Sequence, residues 1–290
     1  VEKKNMISAT KLSYTYPKSN KTAVKEISFD IHEGEIFGFL GPSGAGKSTT
    51  QKILIGLLRG FEGEVSIMGK ALDEWKEKLY EHVGVMFEFP NHFTKLSAIE
   101  NLKLFQSLYS NKSQDPILLL EKVGLKEDTN TRVANFSKGM KTRLSFIRSI
   151  LHDPSLLFLD EPTTGLDPMN ARLIKQMILD LRAQKKTIFL TTHNMHDAEE
   201  LCDRVGFIAD GQLVVVDTPQ RLKSKHSEHQ VEIRYLDGQK NLQSKTFPLP
   251  NLANETEFFS IIQQYSVQSL QSKQPSLEDI FIHYTGKSLQ

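Results

Sequence analysis

Gly41-Pro42-Ser43-Gly44-Ala45-Gly46-Lys47-Ser48-Thr49 carries the spacing Gly-x-x-x-x-Gly-Lys-Ser/Thr of a phosphate-binding loop. The motif sits where its chemistry needs it. Glu35-Ile36-Phe37-Gly38-Phe39-Leu40 before it is an apolar run that reads as a buried strand, and Ser48 to Leu58 after it places apolar residues at helical spacing. Gly41, Gly44 and Gly46 allow a sharp turn whose N–H groups can point at phosphate oxygens, and the helix start adds its positive dipole end. Lys47 can reach the β- and γ-phosphates, and the Ser48 hydroxyl is placed for Mg²⁺. The nine residues therefore predict a nucleoside triphosphate site.

A phosphate loop alone does not distinguish kinase, GTPase, motor and transport ATPase. Ser155-Leu156-Leu157-Phe158-Leu159-Asp160-Glu161 narrows the choice: an apolar strand ends in two adjacent carboxylates, where open parallel sheets place ligand chemistry. Successive side chains on a strand diverge, so Asp160 can face the metal and Glu161 an attacking water. In isolation the pair would read as the start of a surface turn before Pro162. Between loop and carboxylates, Asn135-Phe136-Ser137-Lys138-Gly139-Met140-Lys141 leads into a helical pattern from Thr142 to Leu151. Ser137 alone is a helix N-cap; with the Gly139 N–H and the helix terminus it is also an anion site built without cationic side chains.

Together these stretches resemble the ATP-binding subunits of ABC transporters. Ser137-Lys138-Gly139-Met140 fits their Ser-x-Gly-x signature, with Lys138 and Met140 departing from its commonest wording. The resemblance implies that Ser137 and Gly139 close on the γ-phosphate held by an opposite protomer. It also implies that Tyr16, rather than Tyr14, stacks on adenine, and that Asp167 in Gly165-Leu166-Asp167-Pro168 is a contact between protomers. His193, ending the strand pattern Lys186 to Leu190 and Thr191-Thr192, matches the switch histidine; read alone, a strand-end histidine is structural or solvated. In Val83-Gly84-Val85-Met86-Phe87-Glu88-Phe89-Pro90, Glu88 stands where the family usually has Gln. Either side chain offers an oxygen to Mg²⁺ or its water, but Glu adds negative charge beside Asp160 and Glu161.

The expected catalytic residues are thus Glu161, His193 and Lys47, and the expected metal residues are Ser48, Glu88 and Asp160. Nucleotide is expected at Tyr16, the loop from Gly41 to Thr49, Ser137, Gly139 and Asp167. ATP and Mg²⁺ are the implied cofactors. Implied partners are an integral membrane permease and a second ATPase protomer, identical or not, which puts the chain peripherally on the cytoplasmic face of a membrane. Phe87, Phe89 and Phe93 are candidate contacts with the permease, or else core residues of this chain.

Composition agrees. With 290 residues, a net charge of +1 and one cysteine, the chain can bury a large core and offers no electrostatic case for nucleic acid. Cys202 alone leaves no internal disulfide framework or Cys-rich zinc site. The start at Val1-Glu2-Lys3-Lys4-Asn5 shows no apolar signal segment, and no apolar run nears the roughly 20 residues of a membrane-spanning helix. The competing class is a soluble ABC-type ATPase acting on nucleic acid or ribosomes. Those relatives commonly carry paired ATPase modules, zinc modules or long coiled-coil insertions, and one phosphate loop with no extended heptads stands against them. A P-loop kinase is disfavoured by the signature before the carboxylate strand.

The fold expected is an α/β P-loop NTPase sheet core with the family's antiparallel β subdomain and helical arm, plus a small C-terminal α+β extension. Residues 1–222 should form the ATP-binding domain, with a helical arm over about 91–152, and residues 223–290 the accessory domain. Strand patterns run from Ile7 to Val65, including Ala23 to Ile31, and Met169 to Gln184 reads as a helix. Beyond a polar connector at Lys223–His229, Val231-Ile233-Tyr235 alternates as a strand and Thr246–Pro250 reads as an edge strand. Phe258-Phe259-Ile261-Ile262 has helical spacing, and a capped helix begins near Ser276.

Overall fold

The computed structural model describes residues 4–110, 114–226, 230–273 and 275–286. These separate into two compact units, one ending at Thr218 and one beginning at Pro219. The first unit is built on a six-stranded sheet in the order Gln212–Asp217, Arg204–Ala209, Ile36–Leu40, Thr187–Thr192, Leu156–Asp160, Val83–Met86. All neighbours are parallel except the first pair. Ile36–Leu40, Leu156–Asp160 and Thr187–Thr192 are buried along their whole length, which explains why they read as unbroken rather than alternating runs.

A second, antiparallel sheet runs Thr22–His32, Asn5–Thr15, Glu62–Ile67, Lys70–Ala71. One hydrophobic core joins it to the parallel sheet. Phe29 stacks on Phe37 with centroids 5.8 Å apart, and Phe189 touches both Phe39 and Phe158 at 5.4 and 5.5 Å. This aromatic plug fastens the antiparallel sheet against the strand that delivers the phosphate loop. The Lys25 N–H adds a hydrogen bond to the Gly211 carbonyl at 2.8 Å.

The helical arm expected over about 91–152 consists of three helices, Ala98–Gln106, Pro116–Lys122 and Lys138–Ile150, with a 3₁₀ turn at Val133–Asn135, and its first helix begins later than Asn91. Buried Asn101 is the reason for the late start. Its amide accepts from the Phe93 N–H and donates to the Phe93 and Ser97 carbonyls, coiling the preceding segment into a loop. Ser97 and Glu100 then form a capping box, Asp115 caps the second helix, and Ser137 accepts from the Met140 N–H to cap the third. The helix after the phosphate loop also stops early, at Leu54 rather than near Leu58. Gly56, at φ +76°, turns the chain back so that the Gly56 and Leu57 N–H groups reach the Ile53 and Lys52 carbonyls.

In the second unit the sheet order is Leu242–Pro248, Gln230–Leu236, Ser266–Lys273. The helix Thr256–Gln264 presses Phe258 and Ile261 onto Val231, Ile233 and Phe247. The edge strand runs Leu242–Pro248, so it begins four residues before the expected Thr246. Lys223–His226, expected as connector, are helical: Pro219–His226 is one helix anchored by buried Leu222, so position 222 lies inside it, and Ser227–His229 are outside the described residues. The helix Leu277–Thr285 packs on that helix and is capped by Ser276 with Asp279 in a capping box.

Candidate active site

The phosphate loop leaves the C-terminal end of Ile36–Leu40, in the middle of the sheet, and hands the chain to the helix Lys47–Leu54. Its glycines answer to close contacts. A Cβ at Gly41 would lie 2.2 Å from the Ile208 carbonyl oxygen, and one at Gly46, where φ is +114°, 2.7 Å from the Ala23 oxygen. The Lys47 ammonium is folded back into the loop, donating to the Gly41 and Pro42 carbonyls at 2.6 and 3.1 Å. Burial depresses its pKa, and Glu161, Asp160 and Glu88 push it back up.

Asp160 and Glu161 arrive beside the loop because Asp160 pairs in parallel register with Thr191 on the next strand. Asp160 accepts the Thr191 hydroxyl, and its carboxyl is held above the usual carboxylate range, first by burial and then by the charges of Glu161 and Glu88. Glu161 takes a left-handed backbone, φ +51°, uncommon for a non-glycine residue, and its surroundings hold it there. Those surroundings are visible. Its N–H donates to the Thr191 carbonyl at 2.9 Å, and one carboxylate oxygen accepts the Thr164 and Thr192 hydroxyls at 2.9 and 3.2 Å. The other accepts both the His193 backbone N–H, at 2.9 Å, and His193 Nδ1, at 2.7 Å. With Nδ1 donating, Nε2 is the nitrogen of His193 that can serve a ligand.

A cavity of about 630 Å³ gathers Tyr16, Ala23, Ser43, Gly44, Gly46, Lys47, Ser48, Thr49, Glu88, Asp160, Glu161 and His193. Of the expected loop residues, Gly41, Pro42 and Ala45 are not among those lining it. Tyr16 lines the cavity and shares a hydrogen bond with Thr49 at 3.2 Å, whereas Tyr14 is buried and meets the Tyr16 ring edge-on, with centroids 5.0 Å apart. Size does not mark the site: a groove of about 1010 Å³ around Ser13, Lys25 and Glu62 holds no such constellation.

Ser137, Gly139 and Asp167 do not line this cavity. They lie by one another instead, since a Cβ at Gly139 would be 3.5 Å from Leu166 and 3.6 Å from the Gly165 carbonyl, and Asp167 caps the helix Pro168–Ala183. Of the three candidate docking aromatics, Phe89 is 74% and Phe93 53% exposed, while Phe87 is packed partly against the core. Phe87 also lines a mostly apolar cavity of about 560 Å³ with Phe105, Leu108, Tyr109 and Arg148.

Sequence reading missed the residues that hold the reactive ones. Thr164, Thr191 and Thr192 position the carboxylates, and buried Asp197 accepts the Thr163 hydroxyl at 2.7 Å while pairing with Lys175 at 3.3 Å. The threonine pairs following Pro162 and preceding His193 were the available signal. His92 was also missed; it shares hydrogen bonds with the Lys141 carbonyl and the Ser145 hydroxyl at 3.0 and 2.9 Å, tying the Glu88 loop to the signature helix.

A phosphate loop, a paired-carboxylate strand and a histidine clasping the second carboxylate, on a parallel sheet with an antiparallel partner and a helical arm, define a P-loop ATPase. Residues 24–164 match the family model described as ABC transporter. The fluoroquinolones export ATP-binding protein of Mycobacterium tuberculosis (strain ATCC 25618 / H37Rv) is 49% identical, over 96% of this chain and 92% of that protein. The chain belongs to the ABC transporter family as an ATP-binding subunit, and it is an ATPase. Nod factor export ATP-binding protein I of Rhizobium johnstonii is 34% identical, over 93% of this chain and 92% of that protein. An ATP-binding cassette solved as a dimer in a post-hydrolysis state with ADP and Pi superimposes with a TM-score of 0.68. It shares 26% identity and is covered over 98% of its length by 73% of this chain.

Proposed function

We propose that this chain is the peripheral ATPase of an exporter, coupling ATP binding and hydrolysis in a head-to-tail dimer to transport through a separate membrane protein. The observation that carries the catalytic part is the Glu161–His193 clasp at the edge of the phosphate cavity. The loop N–H groups and Lys47 hold the phosphates, Tyr16 stacks on the base, and Glu161 takes the proton of the attacking water. His193, oriented through Nδ1, presents Nε2 to the γ-phosphate. Ser48, Asp160 and Glu88 offer hard oxygen donors around one cavity, a set that suits Mg²⁺. A Mg²⁺ ion held by these residues would supply positive charge to offset that of the phosphates.

Export and a membrane partner are supported by the names of the relatives, which are export ATP-binding proteins. Among the described residues no helix is long and apolar enough to cross a membrane, and we assign the transport path to a separate polypeptide. Exposed Phe89 and Phe93 and the apolar cavity beside Phe87 are the surface we assign to that partner, on the cytoplasmic face. Co-purification with the membrane protein and reconstitution in vesicles test this reading. Glu88→Ala should lower transport per ATP hydrolysed more than it lowers ATP affinity, because the phosphate loop holds most of the nucleotide. An unchanged ratio, or full transport without this subunit, sinks the coupling role and leaves the ATP site standing.

A further inference from the structure

Glu88 follows the edge strand Val83–Met86, whose register sets Met86 opposite Leu159, so the chain beyond it runs out beside Asp160 and Glu161. All three carboxylates line the same phosphate cavity. Only one full cation, Lys47, lines it with them among the described residues, and its ammonium is spent on the carbonyls of Gly41 and Pro42 rather than on a carboxylate. A glutamine at position 88 would leave two carboxylates against one ammonium. The glutamate makes it three against one. The charge of Glu88 reaches both Lys47 and Asp160, which places it within electrostatic range of whatever the loop holds.

A triphosphate brought onto this loop is a polyanion entering an acidic cavity. A like charge lining the same partly desolvated cavity costs roughly tenfold in affinity unless a cation comes with the ligand. We infer that Glu88 makes nucleotide binding conditional on a divalent cation: the cavity accepts the metal–ATP complex and rejects free ATP. The loop defines the site; Glu88 selects the form of nucleotide that enters it. This rests on the reading of the cavity as an ATP site. It goes beyond that reading because it assigns Glu88 a selective role through charge, independent of whether its oxygen ligates the metal.

The test is equilibrium binding of the non-hydrolysable analogue AMP-PNP to the full chain, in Mg²⁺ and in EDTA, for wild type, Glu88→Gln and Glu88→Ala, with thermal melting to check folding. Wild type should lose at least about tenfold more affinity on metal removal than either variant, because both variants remove the charge. The gain should appear as tighter metal-free binding in the variants. Equal losses in wild type and Glu88→Gln overturn the inference, as does tighter metal-free binding by Glu88→Gln that Glu88→Ala fails to share, since the amide rather than the missing charge would then be responsible. Failure of folded wild type to bind AMP-PNP even with Mg²⁺ would instead overturn the ATP-site reading itself, and the inference with it.

Discussion

Glu161 is the residue on which turnover is expected to depend most. Its carboxylate accepts from four donors, two of them on His193, and its left-handed backbone is held by the bond to Thr191. Glu161→Gln keeps the shape but removes the proton acceptor. The expected result is ATP binding near wild type with turnover lower by roughly 10²–10⁴-fold, and ATP-trapped dimers on gel filtration. Normal steady-state hydrolysis by this variant would remove Glu161 from the role of base. His193→Ala should lower turnover as well, while wild-type rates would reduce the clasp to a structural contact.

At the level of elements, the phosphate loop and the Glu88 loop are each held by a neighbour distant in sequence. Gly41 passes so close to the strand Arg204–Ala209 that a methyl group would overlap the Ile208 carbonyl. Gly41→Ala should therefore displace the loop, abolish nucleotide binding and lower stability by more than about 1 kcal/mol; unaltered ATP affinity and melting would contradict the contact. The Glu88 loop is pinned to the signature helix by His92, whose pKa burial pulls down to about 4. The unfolded chain then binds a proton at this histidine that the folded chain refuses between the ordinary value of 6.5 and about 4. Stability is lost as pH falls through that window. Melting temperature should drop more steeply there for wild type than for His92→Asn, and parallel curves would show that His92 contributes no such term.

For the whole molecule, the decisive fact is that Ser137, Gly139 and Asp167 lie apart from the cavity lined by Lys47. That separation is what the proposed head-to-tail pairing of two copies requires. A Lys47→Ala protomer mixed with a Ser137→Arg protomer should then form a dimer with one site carrying both defects and one intact site. Partial ATPase activity should return on mixing, although each variant alone is inactive. If confirmed heterodimers of folded protein stay inactive, each phosphate loop works with its own signature and the head-to-tail arrangement falls.

Much of this molecule was legible in the chain because its signals are local. Glycine spacing, a buried strand and a helix start specify the phosphate loop within a few residues, and unbroken apolar runs mark Ile36–Leu40, Leu156–Asp160 and Thr187–Thr192 as the sheet's interior. Local signals misjudged extent: the helical reading reached back to Asn91 and on past Leu54, where the buried Asn101 amide delays one helix and the left-handed Gly56 ends the other. What Glu161 holds, and that His92 ties the Glu88 loop to the signature helix, were beyond sequence. Those depend on contacts such as Thr192 to Glu161, 31 residues apart, which exist only once parallel strands settle in register and bring side chains from separate segments within hydrogen-bonding reach. The residues and their order determined the chemistry available; the tertiary structure decided which groups share one cavity, because electrostatic and hydrogen-bond energies act over a few ångströms whatever the distance along the chain.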